Sequence, residues 1–179
     1  MIRKYKDIVI RNATKDDAPD LLKWWNDGKI MEHAGFPNGL QTTLEDINKK
    51  IEESKIGVFE RLIIEVDQIK IGEMSFSLDE TGAADIGIKI CDESYRNKGI
   101  GRICLSELIC SLFDEYEFNE IVLTTQYNNK RAMHVYESLG FKLVKIEFNS
   151  WKDQIGNLRS IVHYRCNQDS FVNYAVEIN

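Results

Sequence analysis

An α/β (α+β) fold, a mixed β-sheet with helices on both of its faces, is the class that the sequence predicts. Three observations predict it. Segments of alternating or β-branched residues recur along the chain, stripes of apolar residues at helical spacing lie between them, and the order reads β-α-α-β-β-β-α-β-α-β-β. The 179 residues, 43% of them hydrophobic, suffice for one sizeable core. No linker divides them, so one domain over residues 1–179 is expected.

The elements follow in order. Ile8 to Ala13 alternates as a half-buried strand does, and Thr14-x-x-Asp17 then supplies a capping pattern for a helix. Ala18, Leu21, Leu22 and Trp25 form its apolar stripe, and Asn26, Asp27 and Gly28 stop it. Beyond an irregular stretch holding the loop HAGFPNG, a second cap at Thr42-x-x-Glu45 opens a helix carrying Leu44, Ile47 and Ile51. Val58 to Val66 and Ile69 to Leu78 are rich in β-branched and apolar residues and meet at Asp67 and Gln68, which reads as a hairpin. Asp79 to Gly82 turns the chain into a strand at Asp85 to Cys91. After it, Leu105, Leu108, Ile109, Leu112 and Phe113 mark a longer helix. Ile121 to Thr125 is a strand. Asn129 leads into a helix with Ala132, Val135, Tyr136 and Leu139 on one face and Gly140 at its C-terminal cap. Strands at about Lys142 to Phe148 and Arg159 to Cys166, joined by Asp153 to Asn157, complete the pattern.

Charge and composition remove several function classes. A net charge of −6 argues against a nucleic-acid partner, because phosphate binding rests on clustered Lys and Arg, and it mildly favours a cationic acceptor. No apolar run approaches the roughly 20 residues that span a bilayer, and no signal peptide is recognisable, so a soluble, cytoplasmic protein without a membrane partner is expected. Cys91, Cys104, Cys110 and Cys166 are scattered through apolar segments without a C-x-x-C pair or a histidine at ligand spacing, which reads as buried, reduced thiols and no metal site.

Chemistry concentrates between the strand ADIGIKI and the helix that follows. There Arg96, Gly99 and Gly101 form R-x-x-G-x-G. A glycine-rich turn feeding a helix N-terminus gathers unpaired backbone N–H groups, aligns them with the positive end of the helix dipole and admits phosphate oxygens without a Cβ clash. A tight strand-to-helix turn would use the same glycines. The dinucleotide fingerprint G-x-G-x-x-G near a first strand is absent, as is the P-loop G-x-x-x-x-G-K-[ST].

Arg96 to Gly101 resembles motif A of the GNAT superfamily of N-acetyltransferases, and Asn129-x-x-Ala132-x-x-x-Tyr136-x-x-x-Gly140-Phe141 resembles its motif B. The resemblance implies the GNAT fold, a mostly antiparallel sheet of about seven strands splayed at the cofactor site, and acetyl-CoA as cofactor. It implies that Arg96, Asn97, Lys98, Gly99, Ile100, Gly101 and Arg102 form the pyrophosphate loop, that Ile88, Lys89 and Ile90 offer backbone groups to the pantetheine arm and the thioester carbonyl, and that Asn129 contacts the cofactor. Asn129 is also a good helix N-cap in its own right. Tyr136 matches the residue that protonates the departing thiolate, although it lies on the apolar face of its helix as a core aromatic would. Asp85 matches the position of the base Glu in histone acetyltransferases of the superfamily and is one methylene shorter; action through water, or simple termination of a strand, are the alternatives.

In the same superfamily the loop between the first two helices and the segment before the last strands form the acceptor site. Trp24, Phe36 and Trp151 are the candidate aromatic walls, with Asp27, Glu32 and Asp153 as countercharge and Glu73 as a second carboxylate facing the cleft. Trp24 is singled out because Trp25 continues the apolar stripe. His33 is read as a loop residue, and His134 as outside the cleft. W-x-N-D at Trp24 to Asp27, and SWKDQIG, resemble the branch with aminoglycoside 6'-, ribosomal-protein N-terminal and spermidine acetyltransferases. The implied activity is transfer of acetyl to a primary amine of a small cationic molecule, such as a polyamine or an aminoglycoside, by direct attack in a ternary complex. A peptide or protein N-terminus is the alternative acceptor, and a non-catalytic acyl-CoA sensor the alternative class. Dimers are common in the family, and the stretch after Cys166 is the candidate arm of a homodimer.

Overall fold

In a computed structural model of the chain, which describes residues 2–176, one eight-stranded sheet runs in the order β1-β2-β3-β4-β5-β6-β8-β7. Met1 and residues 177–179 of the expected domain lie outside the described residues. The strands are β1 (Ile2–Tyr5), β2 (Ile8–Asn12), β3 (Phe59–Val66), β4 (Ile69–Leu78), β5 (Ala84–Ile90), β6 (Ile121–Gln126), β7 (Lys142–Lys152) and β8 (Leu158–Cys166). All neighbours pair antiparallel except β5 and β6. The strand beyond the expected seven is β1, which pairs with β2 as an exposed to half-buried ribbon and therefore lacks the apolar alternation that betrays its neighbours.

The helices α1 (Ala18–Trp25), α2 (Gly28–Met31) and α3 (Leu44–Glu52) cover one face, and α4 (Ile100–Asp114) and α5 (Lys130–Ser138) the other. Alternation along β3 shows why both faces are filled. Leu62 and Ile64 join Leu105, Leu108, Ile109 and Leu112 in the core under α4, whereas Ile63 joins Leu21, Trp24, Trp25 and Ile47 under α1 and α3. The β3–β4 hairpin turns on Asp67 and Gln68, both with positive φ (49° and 66°), the geometry of a two-residue turn that follows the twist of the strands.

Both capping signals act, the second one residue later than expected. Asp17 accepts hydrogen bonds from Thr14 N (2.8 Å) and Thr14 Oγ1 (3.2 Å) at the entrance to α1. Thr43 caps α3, exchanging bonds with Asp46, because Thr42 has its backbone engaged by the Asn26 side chain, which donates to Thr42 O (3.0 Å) and accepts from Thr42 N (2.9 Å). The described part of the segment after β8, residues 167–176, packs on its own chain. Val172 N donates to Leu139 O at 3.0 Å, and the chain lies back along α4. Among the described residues no helix is long and apolar enough to cross a membrane.

Candidate active site

The site arises where two strands part. β5 and β6 are parallel and pair only at Ala84↔Ile121 and Asp85↔Val122. Beyond that point β5 stays with β4 as far as Gly72↔Ile90, and β6 stays with β8 as far as Gln126↔Ile161. Each strand thus keeps its outer partner and loses its inner one, so the inner backbone edge of Ile86 to Ile90 faces an opening. The opening is a cleft of about 810 Å³, lined by β5, β6, the start of α4 and one face of α5.

At its upper end the R-x-x-G-x-G turn is held from inside. Arg96 Nε donates to Ile90 O (3.0 Å) and Nη2 to Cys91 O (3.3 Å), so this guanidinium ties the loop to the end of β5. Asn97 and Gly99 take positive φ (62° and 79°), and Asn97 Oδ1 accepts from Arg131 Nη1 at 3.3 Å. Gly99 caps α4, and the N–H groups of Ile100 and Gly101 head the helix with no carbonyl a turn before them. A Cβ at Gly99 would meet nothing within 4 Å, so the space above the turn is open. Arg102 Nε is buried without a hydrogen-bond partner. Free N–H groups, a positive helix end, an unpaired strand edge and an unused arginine fit a pyrophosphate with an extended arm. Lys98 is the exception in the loop: it is outside the cleft lining, and its ammonium lies over the Tyr95 ring at 5.4 Å.

Tyr136 and Asp85 both line the cleft. Tyr136 packs between Phe141 and Tyr164, with both ring centroids 6.0 Å away, and burial pushes its phenol up to about 12. Asp85 stands opposite Ser77 where β5 and β6 begin to part. Its side chain is open to the solvent of the cleft, yet desolvation, followed by the charge of Asp79, raises its carboxyl above the usual range. The Asn129 side chain accepts from Ala132 N at 3.2 Å and also lines the cleft, so its capping role and its place in the site coexist.

Residues 7–142 match the acetyltransferase (GNAT) domain family. The chain belongs to the GNAT acetyltransferase family. Over 74 residues this GNAT chain is 35% identical to N-alpha-acetyltransferase 30 of Xenopus laevis, an alignment covering 41% of the chain and 27% of that protein. Over 68 residues it is 34% identical to the spermine/spermidine N(1)-acetyltransferase of Bacillus subtilis, covering 37% of the chain and 45% of the relative. The alignments thus span less than half the length of either relative. In fold, the chain superposes on RimL, a ribosomal-protein alpha-N-acetyltransferase in complex with coenzyme A, with a TM-score of 0.83 at 19% identity, covering 95% of this chain and 99% of that one. It superposes on the spermidine N-acetyltransferase of Vibrio cholerae in complex with coenzyme A and spermine with a TM-score of 0.80 at 17% identity, covering 93% and 99%.

The acceptor side of the GNAT cleft differs from the sequence expectation. Ile88, Lys89, Ile90, Arg96, Asn97, Gly99, Ile100, Gly101, Arg102 and Trp151 line the cleft as expected, but Trp24, Asp27, Phe36 and Glu73 do not. Trp24 is buried in the core under α1 together with Trp25, because α1 is covered on more than one side. Asp27 caps α2, accepting from Lys29 N at 2.8 Å and Ile30 N at 3.4 Å. Phe36 packs on the same core. Glu73 is 2% exposed and fully engaged, accepting from Trp25 Nε1 (2.8 Å), Arg61 Nη1 (2.6 Å) and Lys89 Nζ (3.0 Å). Burial pushes its carboxyl up, and the charges of Lys89 and Arg61 outweigh that and leave it below the ordinary value. Asp153 is bound to Arg159 (2.8 Å) and to Asn157 N (2.8 Å), and Glu32 offers its backbone carbonyl to Gln126 Nε2 (3.3 Å).

Other residues take the vacated places. Lys29, Ile30, His33 and Ala34 line the cleft from α2 and the turn after it, Ser75 and Ser77 from β4, Thr124 and Gln126 from β6, and His134 from α5. His134 was expected outside; it lies on the face of α5 that lines the cleft together with Arg131, Ala132, Val135 and Tyr136. Asp27 as an N-cap was the available signal for α2. Trp151 stands as a wall against the backbone of Gly35, where a Cβ would come within 2.3 Å of the indole. Cys91 is buried, and burial together with the charge of Glu73 pushes its thiol up to about 12, which leaves it a poor nucleophile.

Proposed function

We propose that the chain is an acetyl-CoA-dependent N-acetyltransferase that transfers acetyl to a primary amine by direct attack in a ternary complex. The observation that carries this reading is the parting of β5 from β6 directly before the R-x-x-G-x-G turn, which aligns an unpaired strand edge with a helix N-terminus. Acetyl-CoA, when bound, supplies the activated thioester. The N–H groups of Ile100 and Gly101 bind the pyrophosphate, and the free edge of β5 at Ile88 to Ile90 orients the pantetheine arm and polarises the thioester carbonyl. Asp85 receives the proton of the acceptor ammonium, directly or through water. Tyr136, kept protonated by its burial, donates a proton to the departing sulfur. Cys91, with its raised thiol pKa, supports direct transfer over a covalent relay.

Among acceptors, the cleft favours an amine with a single positive charge, such as the N-terminus of a peptide. Asp85 is the sole carboxylate among the described residues lining it, and Lys29, Lys89, Arg96, Arg102 and Arg131 line it as well. Of the carboxylates expected to hold a polycation, Asp27, Glu73 and Asp153 are engaged elsewhere and Glu32 is outside the cleft lining. A polyamine acceptor remains the second reading, favoured by the net charge of −6 and by the Bacillus relative. Incubation with acetyl-CoA and a panel of N-terminal peptides, amino acids, polyamines and aminoglycosides, with free CoA followed by a thiol reagent, tests both. Peptide-dependent release supports the first reading and polyamine-dependent release the second. Tight acetyl-CoA binding without release for any amine would shift the function to an acyl-CoA sensor.

A further inference from the structure

The segment after β8 lies beyond the residues that match the family, and it follows one face of α4 toward the phosphate cradle. Asn173 Nδ2 contacts Cys110 Sγ at 3.3 Å, one turn earlier Tyr174 N donates to the buried Ser106 Oγ at 3.0 Å, and one turn earlier again the Tyr174 ring lies under the Arg102 guanidinium at 4.7 Å. Residues four apart share a helix face, so a single strap is read out over successive turns. Ala175 N then donates to Asn173 Oδ1 at 2.8 Å, and Val176 O accepts from Tyr5 Oη at 3.4 Å, which ties the strap at Val176 to β1.

Arg102 is otherwise unused. It lines the cleft in the first turn of α4, its Nε is buried without a partner, and among the described residues its side chain has neither an ion pair nor a hydrogen bond. In a chain with 29 acidic residues, an arginine at the cleft held by an aromatic ring rather than a carboxylate is poised for an anion. The neighbouring Arg96, by contrast, has its guanidinium committed to the carbonyls of Ile90 and Cys91. A guanidinium over a ring keeps its in-plane donors for bidentate recognition of phosphate, and its rotamer is fixed before the ligand arrives.

We propose that the C-terminal strap is part of the cofactor site, with Tyr174 as a positioning residue that holds Arg102 toward the phosphates of acetyl-CoA. This inference rests on the acetyl-CoA reading above. Titration calorimetry of the full chain with CoA tests it, using Tyr174→Leu, Tyr174→Phe, Arg102→Ala and the Tyr174→Leu/Arg102→Ala pair. Tyr174→Leu is expected to raise the Kd for CoA roughly three- to tenfold, the size of a cation held on an aromatic face. Tyr174→Phe should bind as the unmodified chain does, since the ring remains. On the Arg102→Ala background Tyr174→Leu should add nothing. In turnover the same loss should appear in KM for acetyl-CoA, with kcat and the acceptor KM held. Arg102→Lys, which keeps the charge and loses the planar fork, should weaken CoA binding even if Tyr174→Leu fails to fold. Unchanged CoA binding by Tyr174→Leu, or by Arg102→Lys, overturns the inference, as does an equal loss with and without Arg102. If the unmodified chain itself does not bind CoA, the acetyl-CoA reading falls and the strap's role falls with it.

Discussion

Tyr136 and Asp85 face one cleft, and burial moves the pKa of both groups upward, with opposite consequences for the proposed reaction. For the phenol the shift, to about 12, keeps the proton that a departing thiolate needs at neutral and moderately alkaline pH. Tyr136→Phe is therefore expected to lower kcat about a hundredfold, the lower end for loss of a general acid, with the Kd for CoA unchanged. A full-rate variant in stopped-flow or steady-state assay removes Tyr136 from the chemistry. For the carboxyl the shift, caused first by desolvation and then by Asp79, makes the neutral form persist to higher pH, and a base must be ionised. The rate should consequently fall as pH drops through a value above the ordinary carboxylate range of about 4. In Asp85→Asn that acidic limb of the kcat/KM profile should vanish together with most of kcat. A limb that survives in the variant belongs to the acceptor amine or to another group.

At the scale of elements, the cradle depends on one backbone conformation. Gly99 holds φ +79° at the cap of α4, a region that costs a residue with a Cβ about 1 kcal/mol or more, and the space above it is open. Gly99→Val should lower stability in urea by about 1–2 kcal/mol and weaken CoA binding further still, because the new side chain occupies the phosphate's approach. Equal CoA affinity in the variant would place the phosphates elsewhere. This turn was legible in the sequence because glycine, helix stripe and preceding strand are all local. So were β2 to β8 and the helices α1, α3, α4 and α5, whose β-branched runs, alternation or stripes are local patterns. What escaped was set by partners distant in sequence. Glu73 reads as a free carboxylate until Trp25, Arg61 and Lys89 close on it across a span of 48 residues or fewer. Trp24 reads as partly off the apolar stripe and free to wall the acceptor pocket, yet it is buried with Trp25 in the core under α1. Trp151 lines the cleft, but its support at Gly35 depends on a loop that no period describes.

Across the whole molecule, both faces of the sheet combine an apolar core with buried carboxylates, and pH should expose the part that the cation-paired Asp17 plays. The α4 side has the larger apolar core and one buried carboxylate, Glu60, which accepts from Asn12 Nδ2 (2.6 Å) and Tyr116 Oη (2.7 Å). The α1 side has its own smaller core and is also fastened by two buried carboxylates, Glu73 and Asp17, the second bound to Arg11 (2.7 and 2.8 Å) and Lys70 (2.7 Å). Burial pushes the Asp17 carboxyl up, but hydrogen bonds from Arg11, Lys70 and Thr14 outweigh it and hold the group well below its ordinary value. A group whose folded pKa is depressed contributes stability that is fully present above its unfolded value, about 4, and is lost as pH falls through the folded one. Asp17→Asn keeps an acceptor for the Thr14 N–H but withdraws the charge facing Arg11 and Lys70, so it should cost about 3 kcal/mol at pH 7. Below pH 4 the unmodified chain loses that same contribution by protonation while the variant has none to lose. Urea unfolding at pH 7, 4 and 2.5 should therefore show two stability curves that converge toward acid. Curves that stay parallel would mean that Asp17 is not held low by its cations, and would leave Glu73, bound to Trp25, Arg61 and Lys89, as the carboxylate that fastens the α1 layer.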